Sequence, residues 1–354
     1  MIQVQVQNKQ IIIDQFTSVK FLDKGSFITC FTAIDKFQRK VALTVSDNER
    51  ELQSRLKMAN KLQNINGVQK YFGNYKLQIS DNNLVELNKL YPRVFTSSSS
   101  ILVGEYYNTN FQAYVEQLSI NKKISVFYQI VQIVEELHSN DVYHMDLKPS
   151  NIMFHNGQPV IIDFGLAVES QIVESSLNTS AYSPKHDVYA GQVFPDKFDI
   201  FCLGNILHEM LTKQTIFPSF IKDPKFQKLL QTKVGALAAN LILGMTKWDQ
   251  EQRYPINIIL EHPLFIKSEL TSQEEDENNL KEFLNNYTSN KSDSDSMFVQ
   301  QLSQNYSCSD FQDPNQELVL FNTRDSLYDL TGNQQMSSIQ CGILFMEDED
   351  SLDL

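Results

Sequence analysis

The stretch YHMDLKPSNIMF, residues 143–154, places an acid, an amine and an amide within six consecutive positions, at Asp146, Lys148 and Asn151. It follows ISVFYQIVQIVEELHS, residues 124–139, in which apolar residues recur at helical spacing. After it, the runs IMF and PVIID flank the letters HNGQ, whose Asn-Gly step predicts a hairpin. The three polar residues are therefore expected on a loop between a helix and a strand.

These residue types suit phosphoryl transfer, in which a protein mainly positions groups and stabilises charge. Asp146 can orient an attacking hydroxyl and accept its proton, Lys148 can steady the transferred phosphate, and Asn151 can hold a metal. Asp163, beyond the predicted hairpin, supplies the hard oxygen ligand that Mg²⁺ prefers. The alternative is structural, because Asp and Asn commonly organise turns.

The segment HMDLKPSN, residues 144–151, resembles the catalytic loop of protein kinases, and DFG, residues 163–165, resembles their metal-binding motif. The order of the two motifs and the hairpin between them also match that family. The resemblance extends over about residues 15–267. Its further segments are similar to the glycine-rich loop (LDKGSFITC), the third-strand motif (KVALT), the hinge (ILVGEYY), the end of the activation segment (YSPK) and two C-terminal parts (DKFDIFCLGNILHEML and WDQEQRYPINIILEHPLFI).

The resemblance implies an α+β, two-lobe protein-kinase fold. Residues 15–107 would form an N-terminal antiparallel sheet plus one helix and the hinge, and residues 108–267 a mostly helical lobe. The sequence itself predicts five strands in the first part, from the β-branched and aromatic runs between residues 16 and 107, and a helix at SDNERELQSRLKMANKLQ. Residues 268–354 are expected to form an acidic, low-complexity and largely disordered tail.

The resemblance also implies an activity, namely transfer of the γ-phosphate of ATP to a protein hydroxyl with Mg²⁺. By the family pattern, Lys148 favours serine and threonine substrates and contacts the γ-phosphate, while Asp146 orients the substrate hydroxyl. Asn151 and Asp163 would hold the metal. His144 and Phe164 would be packing residues that join the two lobes.

Six further residues are implied to bind the nucleotide. Glu105 and Tyr107 would lend backbone groups to adenine, and Ala42 and Met153 would line its pocket. Gly25 and Lys24 belong to the glycine-rich loop, which covers the phosphates in the family.

The pattern breaks at Thr44, where the family has a Lys that reaches the phosphates and pairs with a helix Glu. Thr44 is uncharged and too short. The position of the helix Glu falls on Arg55, although a slip of one turn would place Glu51 there. Lys24 or Arg55 is a candidate for a substitute cation; the alternative is that both are solvated surface charges.

Three other departures concern pocket shape and structure. Gly104 falls at the gatekeeper position and is expected to leave the back of the nucleotide pocket open. Lys185 replaces a Glu that pairs with Arg253, so these two cations would repel each other if they met. Met145 stands where an Arg normally receives a phosphorylated activation loop, which makes regulation by that route unexpected.

The charge and cysteine content limit the setting of the protein. The net charge is −13, and residues 268–354 account for it with 18 Asp and Glu against 3 Lys and Arg. This acidity argues against nucleic-acid binding by the tail. The four scattered cysteines fit a reducing cytoplasm, and no run approaches the roughly 18 apolar residues of a membrane span.

Two functions from different classes therefore stay open. The first is an atypical or impaired protein serine/threonine kinase that uses ATP and Mg²⁺ and acts on a protein substrate. The second is a catalytically inactive pseudokinase that serves as a scaffold or allosteric partner. The complete base and metal set favours the enzyme, and Thr44 favours the scaffold.

Overall fold

The computed structural model describes residues 1–24, 28–174, 180–215, 221, 223–266, 280 and 283. We call residues 2–105 the sheet region and residues 109–266 the helical region. The sheet region contains β1 (Ile2–Gln7), β2 (Gln10–Ile13), β3 (Phe16–Lys24), β4 (Thr29–Asp35), β5 (Lys40–Ser46), α1 (Glu49–Lys61), β6 (Tyr71–Ile79), α2 (Asp81–Leu90) and β7 (Ser100–Glu105). The helical region contains β8 (Thr109–Asn110), α3 (Phe111–Val115), α4 (Ile120–Ser139), β9 (Ile152–His155), β10 (Gln158–Ile161), β11 (Val173–Glu174), α5 (Lys185–Ala190), β12 (Gln192–Val193), α6 (Pro195–Thr212), α7 (Pro224–Val234), α8 (Ala236–Met245), α9 (Ile256–Leu260) and α10 (Pro263–Ile266).

The strands of the sheet region close into a barrel in the order β1-β2-β3-β4-β5-β7-β6. The five predicted strands are confirmed as β3, β4, β5, β6 and β7. Every neighbouring pair is antiparallel except β1 and β6, which run parallel with Ile2 opposite Leu77. Alternate apolar side chains of these strands, among them Ile13, Phe31 and Leu43, are fully buried and form the core of the barrel.

The sheet region contains more than the expected antiparallel sheet and single helix. An N-terminal hairpin, β1 and β2, and a second helix, α2, also belong to it. The run IQVQV alternates apolar and polar residues, and Ile2 and Val4 are each 1% exposed. Asn8 and Lys9 form the turn with φ of 50° and 60°, the left-handed pair that tight hairpins require. Helix α2 packs on β1. The backbone N–H of Val6 in β1 donates to Asn83 Oδ1 of α2 at 3.1 Å.

Helix α1 carries a charged residue on its buried face. Asn48 caps the helix by accepting from the backbone N–H of Glu51 at 3.3 Å. The buried residues of the helix are Leu52, Arg55, Met58 and Ala59. An Arg on such a face needs an ionic partner, since a buried charge is costly when it is unpaired.

The helical region is built around α4 and α6. The apolar stripe of α4, with Phe127, Ile130 and Val134, is fully buried, as its spacing predicts. Helix α6 is buried on nearly all sides, which its apolar sequence indicated. The predicted hairpin is confirmed: β9 and β10 pair in antiparallel fashion, and Asn156 and Gly157 form the turn with φ of 52° and 80°.

The expected disordered tail at 268–354 lies outside the described residues, apart from Leu280 and Phe283. Leu280 is 3% exposed, and the ring of Phe283 lies 4.9 Å from that of His262. These two residues pack on the helical region. Among the helices that the structure describes, none combines the length and the apolar character that crossing a membrane requires.

Candidate active site

One buried carboxylate, that of Asp199, holds the start of the loop of residues 144–151 through hydrogen bonds to its backbone. Asp199 of α6 is fully buried and accepts from the backbone N–H groups of His144 at 2.7 Å and Met145 at 2.8 Å. Met145 has φ of 63°, an unfavourable left-handed conformation for its side chain, and these two hydrogen bonds hold it. Sequence reasoning did not single out Asp199; the signal was a lone Asp within the apolar run FDIFCLGN.

The loop brings the three sequence-predicted residues together. Lys148 Nζ donates to Asp146 Oδ2 at 2.7 Å, and Asn151 Nδ2 donates to the same oxygen at 3.0 Å and to the Asp146 carbonyl at 2.8 Å. The other carboxylate oxygen of Asp146 and the amide oxygen of Asn151 make no hydrogen bond within the described part of the chain. Both oxygens therefore have capacity for a ligand.

Asp163 is held beside this cluster by the strands that lead to it. The backbone N–H of Ile162 donates to the Asn151 carbonyl at 2.9 Å, and that of Asp163 to Gln69 Oε1 at 3.0 Å. Asp163 itself adopts a left-handed conformation with φ of 65°, a strained geometry that recurs at functional sites. The rings of His144 and Phe164 lie 5.0 Å apart, as the expected packing pair.

Arg55 of α1 points into this site, so the expectation of a solvated surface charge is wrong for it. Its guanidinium donates to Asp163 Oδ1 through Nη1 and to Glu51 Oε1 through Nη2, the latter at 3.0 Å. The Arg55 side chain is 7% exposed. The inward position of the helix is therefore Arg55, and Glu51 supports it from one turn earlier.

The two sides of this ion pair affect each other's pKa. Burial by itself would raise the pKa of Asp163, but the charge and hydrogen bond of Arg55 hold it below its usual range. Burial by itself would lower the pKa of Arg55, but the charge of Asp163 raises it above its ordinary value. Both groups are thus ionised at neutral pH.

Two residues of the sheet bear on the missing Lys, namely Thr44 and Lys24. Thr44 is 5% exposed and lies 3.9 Å from the Cys30 thiol, measured from Oγ1 to Sγ. Lys24 Nζ donates to the Pro92 carbonyl at 2.7 Å, and its contact with the phosphates stays a prediction. Gly25 lies outside the described residues.

The four residues implied to surround adenine lie on β5, on β9, and at or just after the end of β7. Ala42 is half-buried on β5 and Met153 is half-buried on β9. The Glu105 N–H donates to the Lys70 carbonyl at 3.0 Å and is therefore committed to the backbone. Tyr107 is buried, and its hydroxyl accepts from the Lys70 N–H at 3.2 Å. Adenine contacts by these four residues stay predictions.

The expectation of an open space behind Gly104 is wrong. A side-chain carbon at position 104 would lie 2.9 Å from Cδ1 of Tyr71 and 3.0 Å from the Lys70 carbonyl oxygen. The ring of Tyr71, on the neighbouring strand β6, therefore fills the volume that residue 104 leaves. Its hydroxyl donates to Gln69 Oε1 at 2.8 Å, and burial raises its pKa, so it is protonated at neutral pH.

The repulsion expected if Lys185 met Arg253 does not arise, because the partner of Arg253 is Asp187. The guanidinium donates to the two carboxylate oxygens of Asp187 at 2.7 and 3.0 Å, and both side chains are buried. Lys185 is exposed to solvent. Moving the carboxylate by two positions thus preserves a buried ion pair at the end of the activation segment.

The donor atoms of the cluster fit Mg²⁺ when a nucleotide completes the site. The residues that the structure describes contain no group of three or more His, Cys, Asp or Glu that could enclose a metal. The amide oxygen of Asn151 and a carboxylate oxygen of Asp163 would supply two hard ligands. Mg²⁺ typically takes one or two carboxylates and completes its shell with water and substrate phosphates, so this partial set is suitable.

Comparison with known proteins agrees with this geometry. Residues 16–265, more than half of the chain, match the protein kinase domain. A probable serine/threonine-protein kinase irlA from Dictyostelium discoideum is 29% identical over 50% of this chain and 13% of its own length. The serine/threonine-protein kinase stk11 homolog of the same organism is 24% identical over 72% of this chain and 46% of its own. A Wee1-like protein kinase from Oryza sativa subsp. japonica is 29% identical over 43% and 30%, respectively.

The chain spans less than half the length of these relatives. The match to the protein kinase domain includes the segments 144–151 and 163–165. The fold, the Asp146 cluster and the domain match agree, and the chain belongs to the protein kinase family.

Proposed function

We propose that this protein transfers the γ-phosphoryl group of ATP to serine or threonine hydroxyls of proteins. The sheet and helical regions would act as two lobes, with the nucleotide between them. One observation carries the proposal: Lys148 and Asn151 hold one carboxylate oxygen of Asp146 and leave the other available. A general base needs such an oriented oxygen within reach of the hydroxyl proton.

The residues of the chain then have separate tasks. Asp146 accepts the proton as the substrate hydroxyl oxygen forms a bond to the γ-phosphorus and the bond to the leaving ADP oxygen breaks. Lys148 lies 2.7 Å from Asp146 and is placed to steady the moving phosphate. Asn151 and Asp163 would hold Mg²⁺, which supplies charge neutralisation for the phosphates when it is bound.

The substrate class rests on the relatives and on Lys148. The similar proteins from Dictyostelium are described as serine/threonine kinases. In this chain, Lys148 follows Asp146 by two residues, the arrangement associated with serine and threonine substrates in the family pattern. A protein with an exposed serine or threonine is therefore the expected partner.

A second candidate is a nucleotide-binding or scaffolding pseudokinase. The ion pair between Arg55 and Asp163 favours it, because that pair engages one oxygen of a metal ligand. If Arg55 stayed paired with Asp163 in the presence of MgATP, Asp163 could not bind Mg²⁺ in the usual way. The Asp146 base would then be oriented, but the γ-phosphate would not be positioned for transfer.

Phosphotransfer with matched variants separates the two candidates. Purified full-length protein is incubated with [γ-³²P]ATP, Mg²⁺ and a serine/threonine peptide library. Asp146→Asn removes the base, and Asp223→Asn is the control. Asp223 caps α7 through its side chain, and Asn is an equally good cap. Nucleotide-dependent thermal stabilisation is measured in parallel, with and without Mg²⁺.

The expected result is transfer by the wild type and by Asp223→Asn, with a loss of about 100-fold or more in Asp146→Asn. Equal transfer by Asp146→Asn would mean that a contaminating kinase produces the signal. Thermal stabilisation by ATP without any transfer would overturn the proposed activity and favour the scaffold.

A further inference from the structure

The charges around Asp163 match those that the family pattern requires, although they occupy different positions. The pattern has a strand Lys, a helix Glu and the Asp of the metal-binding motif. Here the strand residue is Thr44, and the three charges are those of Arg55, Glu51 and Asp163. One cation and two carboxylates are present in both arrangements, so the loss of the Lys leaves the local charge balance unchanged.

The position of the guanidinium is defined by contacts from two directions. It is hydrogen-bonded to Glu51 within α1 and to Asp163 of the helical region. The Arg55 side chain is only 7% exposed. It cannot move into solvent without losing both of these contacts. Its Nε–H is buried and has no acceptor among the described residues, whereas buried donors ordinarily have one.

The chain also makes room for this guanidinium at Gly165. A side-chain carbon at position 165 would lie 2.7 Å from the Arg55 Cζ atom, well inside van der Waals contact. Any larger residue at position 165 would push the guanidinium away from Asp163. Arg55 and Gly165 therefore form a fitted pair across the two regions.

We infer that Arg55 is the phosphate-anchoring cation of this protein, contributed by helix α1 in place of the strand position occupied by Thr44. The inference rests on the proposed nucleotide site. A guanidinium has five donors in a planar fork, and two of the three nitrogens of Arg55 hold carboxylates. Three N–H groups have no carboxylate partner: the Nε–H and one N–H on each of Nη1 and Nη2. These are the donors that the inference assigns to phosphate oxygens. Arg is well suited to this task because its fork matches phosphate geometry.

Nucleotide affinity tests the inference separately from phosphotransfer. Binding of ATP, ADP and adenosine to the full-length protein is measured by isothermal titration calorimetry in the presence of Mg²⁺. Arg55→Met removes the charge and keeps an apolar stem of similar length. Arg39→Met is the matched control, because Arg39 also pairs with a carboxylate of the sheet region, Asp35, at 2.7 Å but is half exposed.

The expected result for Arg55→Met is a loss of about 10- to 100-fold in affinity for ATP and ADP, the value of one charge-assisted hydrogen bond. Adenosine lacks phosphates, so its affinity should stay within about threefold and should show that the pocket is intact. Arg39→Met should bind all three as the wild type does.

A second variant keeps the test decisive if Arg55→Met fails to fold. Gly165→Ala leaves the charge in the protein but displaces the guanidinium, and should cause the same selective loss for ATP over adenosine. Unchanged or tighter ATP binding in both variants would overturn the inference. So would a selective loss in Lys24→Met instead of Arg55→Met, which would assign the cation to the strand β3.

The outcomes separate this inference from the proposed function. Selective ATP loss in Arg55→Met without phosphotransfer by the wild type would support the anchor and reject the enzyme. Phosphotransfer by the wild type with unchanged ATP affinity in Arg55→Met would support the enzyme and reject the anchor.

Discussion

Replacing Asp187 should cost far more stability than any change at Lys185. Arg253 and Asp187 have side chains that are 0% and 3% exposed, joined by two hydrogen bonds. Burial lowers the pKa of Arg253 even with this partner present, because desolvation disfavours the charged form. Asp187→Ala leaves the Arg253 charge buried and unpaired, a change that costs about 3–5 kcal/mol of unfolding free energy.

That cost should be visible as a fall of roughly 6–20 °C in the melting temperature, since 1 kcal/mol shifts a domain of this size by about 2–4 °C. Urea unfolding provides the free energy itself. The single tryptophan, Trp248, stacks on His186 with ring centroids 4.0 Å apart and reports on this locality by fluorescence. Circular dichroism reports on the whole domain in the same titration.

Lys185→Glu is the informative comparison, because it restores the Glu of the family pattern. Lys185 is exposed and the guanidinium already has its carboxylate, so this change should stay within about 0.5 kcal/mol. Asp187→Ala with Arg253→Met should recover part of the loss, since the unpaired charge is removed. A loss below about 1 kcal/mol in Asp187→Ala, or a clear stabilisation by Lys185→Glu, would refute this reasoning.

Three further predictions concern the site and its support. Gly104→Ala should destabilise the protein by about 1–3 kcal/mol in urea unfolding, because its methyl group would overlap the ring of Tyr71; no change would mean that the ring does not fill this space. His262 is fully buried, and burial lowers its pKa to about 3. As the pH falls, the unfolded chain therefore takes up a proton at this residue before the folded chain does. The free energy of unfolding should fall by about 2 kcal/mol between pH 7 and pH 5 for this reason. His262→Gln should remove that part of the pH dependence, and an unchanged slope would contradict the assignment. Asp199→Asn should accelerate amide hydrogen exchange at Met145, because an amide cannot accept from two backbone N–H groups through both of its terminal atoms; unchanged protection would be the contrary result.

The residues of the candidate site could be selected from the sequence because they are close together in the chain. Asp146, Lys148 and Asn151 lie on one short loop, and the hairpin that leads to Asp163 has an explicit turn signal in Asn156. Local geometry of this kind depends on spacing and turn chemistry alone. The structure places Lys148 and Asn151 within hydrogen-bond distance of Asp146, as the sequence indicated.

The partners of the charged residues were not predictable in the same way. A single sequence shows that Arg55 falls near an inward position of α1, but only the packing of α1 against the helical region brings it to Asp163. The same is true of Tyr71, which reaches Gly104 from the adjacent strand. Each of these contacts joins residues far apart in the chain or on different strands, and their register is set by the whole fold.

The sequence by itself determined the family and selected the candidate base and the candidate metal ligands, because these depend on short motifs with fixed spacing. Only the tertiary structure decided that the barrel includes the first 13 residues and that Asp187, not Lys185, faces Arg253. It also decided that the guanidinium of Arg55, from helix α1, pairs with Asp163. The physical reason is that a buried charge takes the nearest opposite charge in space, and nearness in space is a property of packing.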